Sequence, residues 1–252
     1  MGGALAASTG SSNVALGDGA GKNVTTSGSV CIGPADSFIP GFADLACGEG
    51  GVGENSVNIG ASCMSEALPA AQGPFSVAIG AGCGLSGVGQ ASVCLGAFSG
   101  ASGVCGARAI LIGDNAGGAI GASGPVGEDS VCISTAAQCS GARSVVVGPG
   151  ANGSGAECVA IGNAASAFEH GVAIGNQANA NAGAIMINAT NVATTSASSD
   201  SFCVRPVRVT DPASTSSQNH IRLPLTTTGF TQVLLYNPAT FEIQACALDA
   251  VV

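Results

Sequence analysis

The chain has 252 residues, with 40 glycines, 10 prolines, one Tyr, no Trp and only 8% charged residues, and its mean hydropathy is positive at +0.46. This excludes a disordered linker, which needs low hydrophobicity and high charge, and a helix bundle, which needs Leu-rich amphipathic stretches. Six basic residues against fifteen acidic ones give a net charge of −9; phosphate contacts need Lys/Arg clusters, so no nucleic-acid partner is expected.

Residues 1–13 precede the first clear repeat and read as an N-terminal cap. Met1-Gly2-Gly3-Ala4-Leu5 lacks the basic start and long apolar stretch of a secretory signal. Ala6 stands where a myristoylation motif takes Ser or Thr. No run of about 18 apolar residues occurs, so no membrane insertion is expected. Gly17-Asp18-Gly19-Ala20-Gly21-Lys22 has the outline of a phosphate loop, but Leu16 occupies the first glycine's place and Asn23 that of the Ser/Thr.

From Val14 onward one phrase recurs: apolar, small, apolar, then Gly. It is clearest as Val159-Ala160-Ile161-Gly162, Val172-Ala173-Ile174-Gly175 and Ile185-Met186-Ile187-Asn188, at a spacing of 13 residues. Such a phrase is a short strand closed by a tight bend, too small to bury its own face, so the units must stack. Counting from the first apolar residue, copies start at Val14, Val30, Leu45, Val57, Val77, Val93, Ile110, Val131, Val145, Val159, Val172 and Ile185. That predicts twelve turns over residues 14–190. The longest spacings imply insertions at Ser65–Ala70 and Gly121–Pro125, expected to bulge from one face of the stack.

The eleven cysteines include no Cys-x-x-Cys. Cys31, Cys94 and Cys132 take the middle place that Ala15, Ala78, Ala160 or Ala173 takes in other copies, so they read as small buried hydrophobes. Free thiols in this number suit folding in a reducing compartment.

A turn this short suits a flattened, two-walled roll, with Val-Ala-Ile as one strand and a small-residue segment such as Ala178-Asn179-Ala180 as the other. Period-two geometry places Val159 and Ile161 on one face and Ala160 on the opposite one. The expectation is that a Val/Ile stack stiffens the roll while the small-residue face receives another copy of the same chain.

Ser76-Val77-Ala78-Ile79-Gly80 and Gly171-Val172-Ala173-Ile174-Gly175 resemble the head repeat of trimeric autotransporter adhesins, the YadA-like heads. The resemblance covers roughly residues 12–190. It implies a left-handed parallel β-roll, three chains side by side and a rod-shaped surface module. The heptad stalk and membrane-anchor strands of that family have no counterpart here, and the cysteine content differs.

Composition shifts at Thr190, and residues 191–200 read as a linker. Residues 201–252 read as a small C-terminal β element that sets trimer registration or docking. Its strands are expected at Ser201–Arg208, Thr231–Tyr236 and Phe241–Ile243, with Asn237-Pro238-Ala239-Thr240 as a turn. This element resembles the tail that follows head-like repeats in fibre proteins of large DNA viruses and in phage tail fibres.

Chemistry-bearing motifs are few. His170 lies in a repeat loop beside Glu169, and His220 stands far from it, neither at ligand spacing from other candidates. Glu128-Asp129, or Asp200 with Asp211, offers at most weak cation binding. Asn23-Val24-Thr25, Asn152-Gly153-Ser154 and Asn188-Ala189-Thr190 match the glycosylation sequon, which counts only on a secretory route. No catalytic residue, cofactor or metal site is assigned. The expectation is a non-enzymatic, homotrimeric fibre, spike or capsid-associated protein of a virus particle. Its partners would be itself, other virion proteins and, in host attachment, a surface glycan or protein. The alternative is an adhesive module that binds a host glycan or matrix protein through the inserted loops.

Overall fold

The computed structural model describes residues 9–17, 20–21, 24–33, 52–61, 63, 72–85, 87–101, 104–117, 125–196 and 198–205, and the backbone of 219–220, 232–237 and 242–247. The described chain is an all-β parallel solenoid with no helix. Its front wall is one parallel ladder that begins with Val14–Leu16, Val30–Ile32, Val57–Ile59 and Val77–Ile79 and ends with Val172–Gly175, Ile185–Asn188 and Phe202–Arg205. Each copy of the phrase pairs with the next in register: Val77 on Val93 and Ile79 on Leu95, Val159 on Val172 and Ile161 on Ile174.

The count of twelve turns is corrected to about nine. Leu45 lies outside the described residues, and the ladder has no place for it, because Val30 pairs directly with Val57 and Ile32 with Ile59. Leu45-Ala46-Cys47-Gly48 has no Val, Ile or Leu at the third place, and a long connection between neighbouring rungs costs little loop entropy. At the other end Ile185 pairs in parallel with Phe202 and Asn188 with Arg205, so the ladder runs on through the stretch read as a linker.

The back wall appears as the sequence suggests. Gln138–Cys139, Asn152–Gly153, Ser166–Ala167, Ala178–Ala180 and Thr194–Thr195 form a second parallel sheet. Earlier turns complete it with single parallel bridges, Val88 to Cys105 and Cys105 to Val126.

The two faces are the reverse of the expectation. The middle residues Ala78, Cys94, Leu111, Cys132, Val146, Ala160, Ala173 and Met186 are fully buried and face the back wall, where Cys139, Ala167 and Ala178 are buried as well. The flanking Val and Ile residues point outward. A closed turn of thirteen residues brings its walls too near for branched side chains to meet from both sides, so the core is built from Ala and Cys. Where the front wall carries a larger residue, the back wall gives way. A Cβ at Gly153 would lie 2.5 Å from Val146 Cγ2, and one at Gly117 would lie 2.4 Å from Leu111 Cδ2.

Three positive-φ positions bend each turn. The glycine closing the strand has φ between 118° and 140° from Gly60 to Gly175, and Ser134 stands alone in that column as a non-glycine, at φ 122°. A Cβ at Gly80 would meet the Gly96 carbonyl oxygen at 2.2 Å, which is why the phrase ends in Gly. The two true corners are left-handed: one residue lies two places before the strand, as at Arg143, and the other five after its start, as at Ala164.

Serine ties turn to turn at the residue before the strand. The buried hydroxyls of Ser29, Ser92, Ser130 and Ser144 donate to the carbonyls of Gly53, Gly106, Gly141 and Gly155, each in the following turn, at 2.9, 2.7, 2.9 and 3.0 Å.

Beyond the last parallel rung the sheet changes sense. Glu242–Ala247 pairs antiparallel with the Phe202–Arg205 strand through Cys203 and with Gln232–Asn237, which in turn pairs with Asn219–His220. The expected second and third C-terminal strands are present, the third extending to Ala247. The predicted turn residues Pro238, Ala239 and Thr240 lie outside the described residues.

Candidate interaction surface

The front wall's outward face is a regular apolar feature of the described residues. Its first and third columns are partly exposed on every described rung and most open in places: Ile110 is 39% exposed, Val145 36%, Ile161 38% and Phe202 40%. All-parallel sheets are normally covered on both faces. Here the core covers only one.

Beside this face runs a column of charge that the sequence reading missed. Aligning the repeats two places before each strand would have found it: Arg108, Asp129, Arg143, Glu157 and His170, all in the left-handed corner conformation. Successive turns bring opposite charges together. Arg108 donates to both Asp129 carboxylate oxygens, Nη2 at 2.8 Å from Oδ2, and stands 3.8 Å from Glu128. Arg143 donates to Glu157 at 2.6 Å, and His170 Nδ1 lies 3.3 Å from the second Glu157 oxygen with Nε2 3.8 Å from Glu169. The hydrogen bonds from Arg108 hold the Asp129 carboxyl below its usual range, and those from Arg143 do the same for Glu157. The Asp129 bond raises Arg108 in turn.

The acidic pair Glu128-Asp129 is thus engaged by Arg108. Asp200 takes the same corner place in the last rung, φ 54°, while Asp211 lies outside the described residues. His170 sits beside Glu169 as read, and is drawn to Glu157 of the preceding turn as well; for His220 only the backbone strand is described. In the phosphate-loop outline, Gly17 is a strand-closing bend at φ 124°, and Asp18, Gly19 and Lys22 lie outside the described residues. Residues 65–70 and 121–124 of the inserted loops lie outside them too.

Of the sequons, Asn152 is half-buried on the back wall. Asn188 is buried, with Nδ2 donating to the Asn176 and Val192 carbonyls at 2.7 and 2.8 Å. Among the described residues no group of three or more His, Cys, Asp or Glu could hold a metal ion, and no helix is long and apolar enough to cross a membrane.

Comparison with protein-family models and with curated proteins gives no match to this chain.

Proposed function

We propose that this chain is a non-enzymatic structural protein of a virus particle, a homotrimeric fibre, spike or capsid-associated rod. The observation that carries the reading is the outward Val/Ile face, a continuous apolar stripe on a parallel sheet. Exposed stripes of this kind mark association surfaces, and a closed ring of identical copies covers the same stripe on every member. Three is the copy number implied by the likeness of the repeat phrase to YadA-like heads. The interface is the Val/Ile face, since the small-residue face is closed by the chain's own back wall.

The setting rests on two supports. The likeness of the C-terminal strands to viral and phage fibre tails points to a virion, where other virion proteins and a host surface would be its partners. The nine described cysteines are all buried, which suits assembly in reducing cytoplasm. The test is absolute mass by light scattering on a sizing column under reducing conditions. A mass near three times 23.8 kDa with elongated elution is expected; a monomer at every concentration overturns the reading.

A further inference from the structure

We infer that Cys83 and Cys94 are an oxidisable pair, a site at which a low-molecular-weight disulfide of the glutathione class joins one turn of the roll covalently to the next. Cys63 and Cys83 hold the same place in successive turns, six residues after Val57 and Val77. Each points its sulfur at the backbone of the middle residue in the following rung, Cys63 Sγ to the Ala78 carbonyl at 3.3 Å and Cys83 Sγ to the Cys94 carbonyl at 3.2 Å. The first meets an alanine and the second meets another cysteine. Cys83 and Cys94 are both fully buried, with the Cys83 sulfur against the Cys94 backbone. The space beside Cys94 Sγ is left open by Gly100, whose added Cβ would stand 3.4 Å from the sulfur.

The two thiols are unlike. Hydrogen bonds from the Cys63 and Cys94 thiols pull Cys83 down to about 5, whereas the bond to Cys105, the bond to Cys83 and burial push Cys94 well above the ordinary thiol range. Exchange begins with a Cys83 thiolate formed while the turn is open to solvent. Its sulfur bonds to one sulfur of glutathione disulfide, the glutathione S–S bond breaks, and one glutathione thiolate leaves. Cys94 then loses its proton to solvent and attacks the Cys83 sulfur, and the second glutathione leaves. Two electrons pass from the protein to glutathione disulfide, which becomes two glutathione thiols. Both sulfurs are enclosed, so the exchange occurs while the turns are opening or closing.

The test refolds the full-length chain, denatured and reduced, in a glutathione redox buffer, then alkylates free thiols and maps joined peptides by mass. The expected result is a peptide joining Cys83 to Cys94, with alkylated thiols falling from the eleven of the sequence by two and an unchanged circular dichroism spectrum. C63S retains the joined peptide, whereas C83S and C94S each abolish it while keeping the β spectrum. The inference is overturned if refolded protein has no such peptide, if other pairs join in equal yield, or if the oxidised chain loses the spectrum of the reduced one.

Discussion

Asn58 and Gln72 exchange a hydrogen bond in each direction, 2.9 Å both ways, inside the core of the roll. Asn58 occupies the middle place of its strand, where other rungs carry Ala, Cys or a larger apolar residue, and both amides are buried. Gln72 also accepts from the Gly53 amide, at 3.3 Å. Asn58→Ala leaves the Gln72 amide unsatisfied in an apolar setting and is expected to cost about 1–3 kcal/mol. Replacing both, Asn58→Ala with Gln72→Val, should recover only part of that loss, because the buried Gly53 amide then loses its acceptor. Chemical denaturation of the two variants checks this; a double variant weaker than the single would show that the pair contributes more than mutual satisfaction.

Ser134 holds φ 122° in a column that is otherwise glycine from Gly60 to Gly175. Ser134→Gly should therefore stabilise the fold by about 1–2 kcal/mol, the strain of a side chain in that region. The reverse change, Gly80→Ala, drives a Cβ against the Gly96 carbonyl and should unfold the neighbouring turns. A rise in denaturation midpoint for the first and loss of the β spectrum for the second are the expected readings.

If the Val/Ile face is the association surface, charge placed on it should separate copies without unfolding them. Ile161→Asp and Ile174→Asp are expected to give folded monomers, since a buried unpaired carboxylate costs an interface several kcal/mol, on the order of 3. Ala160→Asp, one residue along but inward, should abolish folding because the walls leave no room for it. Light scattering and circular dichroism on the three proteins separate the cases, and a trimeric Ile161→Asp would place the interface elsewhere.

Acid should weaken the charged corner column. Asp129 and Glu157 have folded-state values lowered by Arg108 and Arg143. A group lowered on folding adds stability above its unfolded value and loses it as pH falls through the folded one. Stability should therefore decline as pH drops through and below the ordinary carboxylate range. The Arg108→Ala, Arg143→Ala double variant should show a shallower decline in thermal midpoint between neutral and acid pH.

The walls were legible in the sequence because each strand repeats one phrase, and Ala178-Asn179-Ala180 announced the back wall by its small residues. Which face turned inward was not legible. Alternation separates Val159 and Ile161 from Ala160 but says nothing about which set the opposite wall can accommodate; that depends on the gap between walls. Leu45 was misread because spacing alone cannot distinguish a weak rung from a long connection. The Arg143–Glu157 pairing was hidden because its partners are 14 residues apart, and only the register of the stack makes them neighbours. The same applies to Asn58 and Gln72.

The direct pairing of Val30 with Val57 has a practical consequence. Neighbouring rungs stay hydrogen-bonded whether 13 residues separate them, as from Val159 to Val172, or 27, as here. The scaffold's register is therefore insensitive to cargo spliced between rungs. A foreign epitope or enzyme tag grafted between Ile32 and Val57 should be carried as a passenger without shifting the pairing of the rungs on either side.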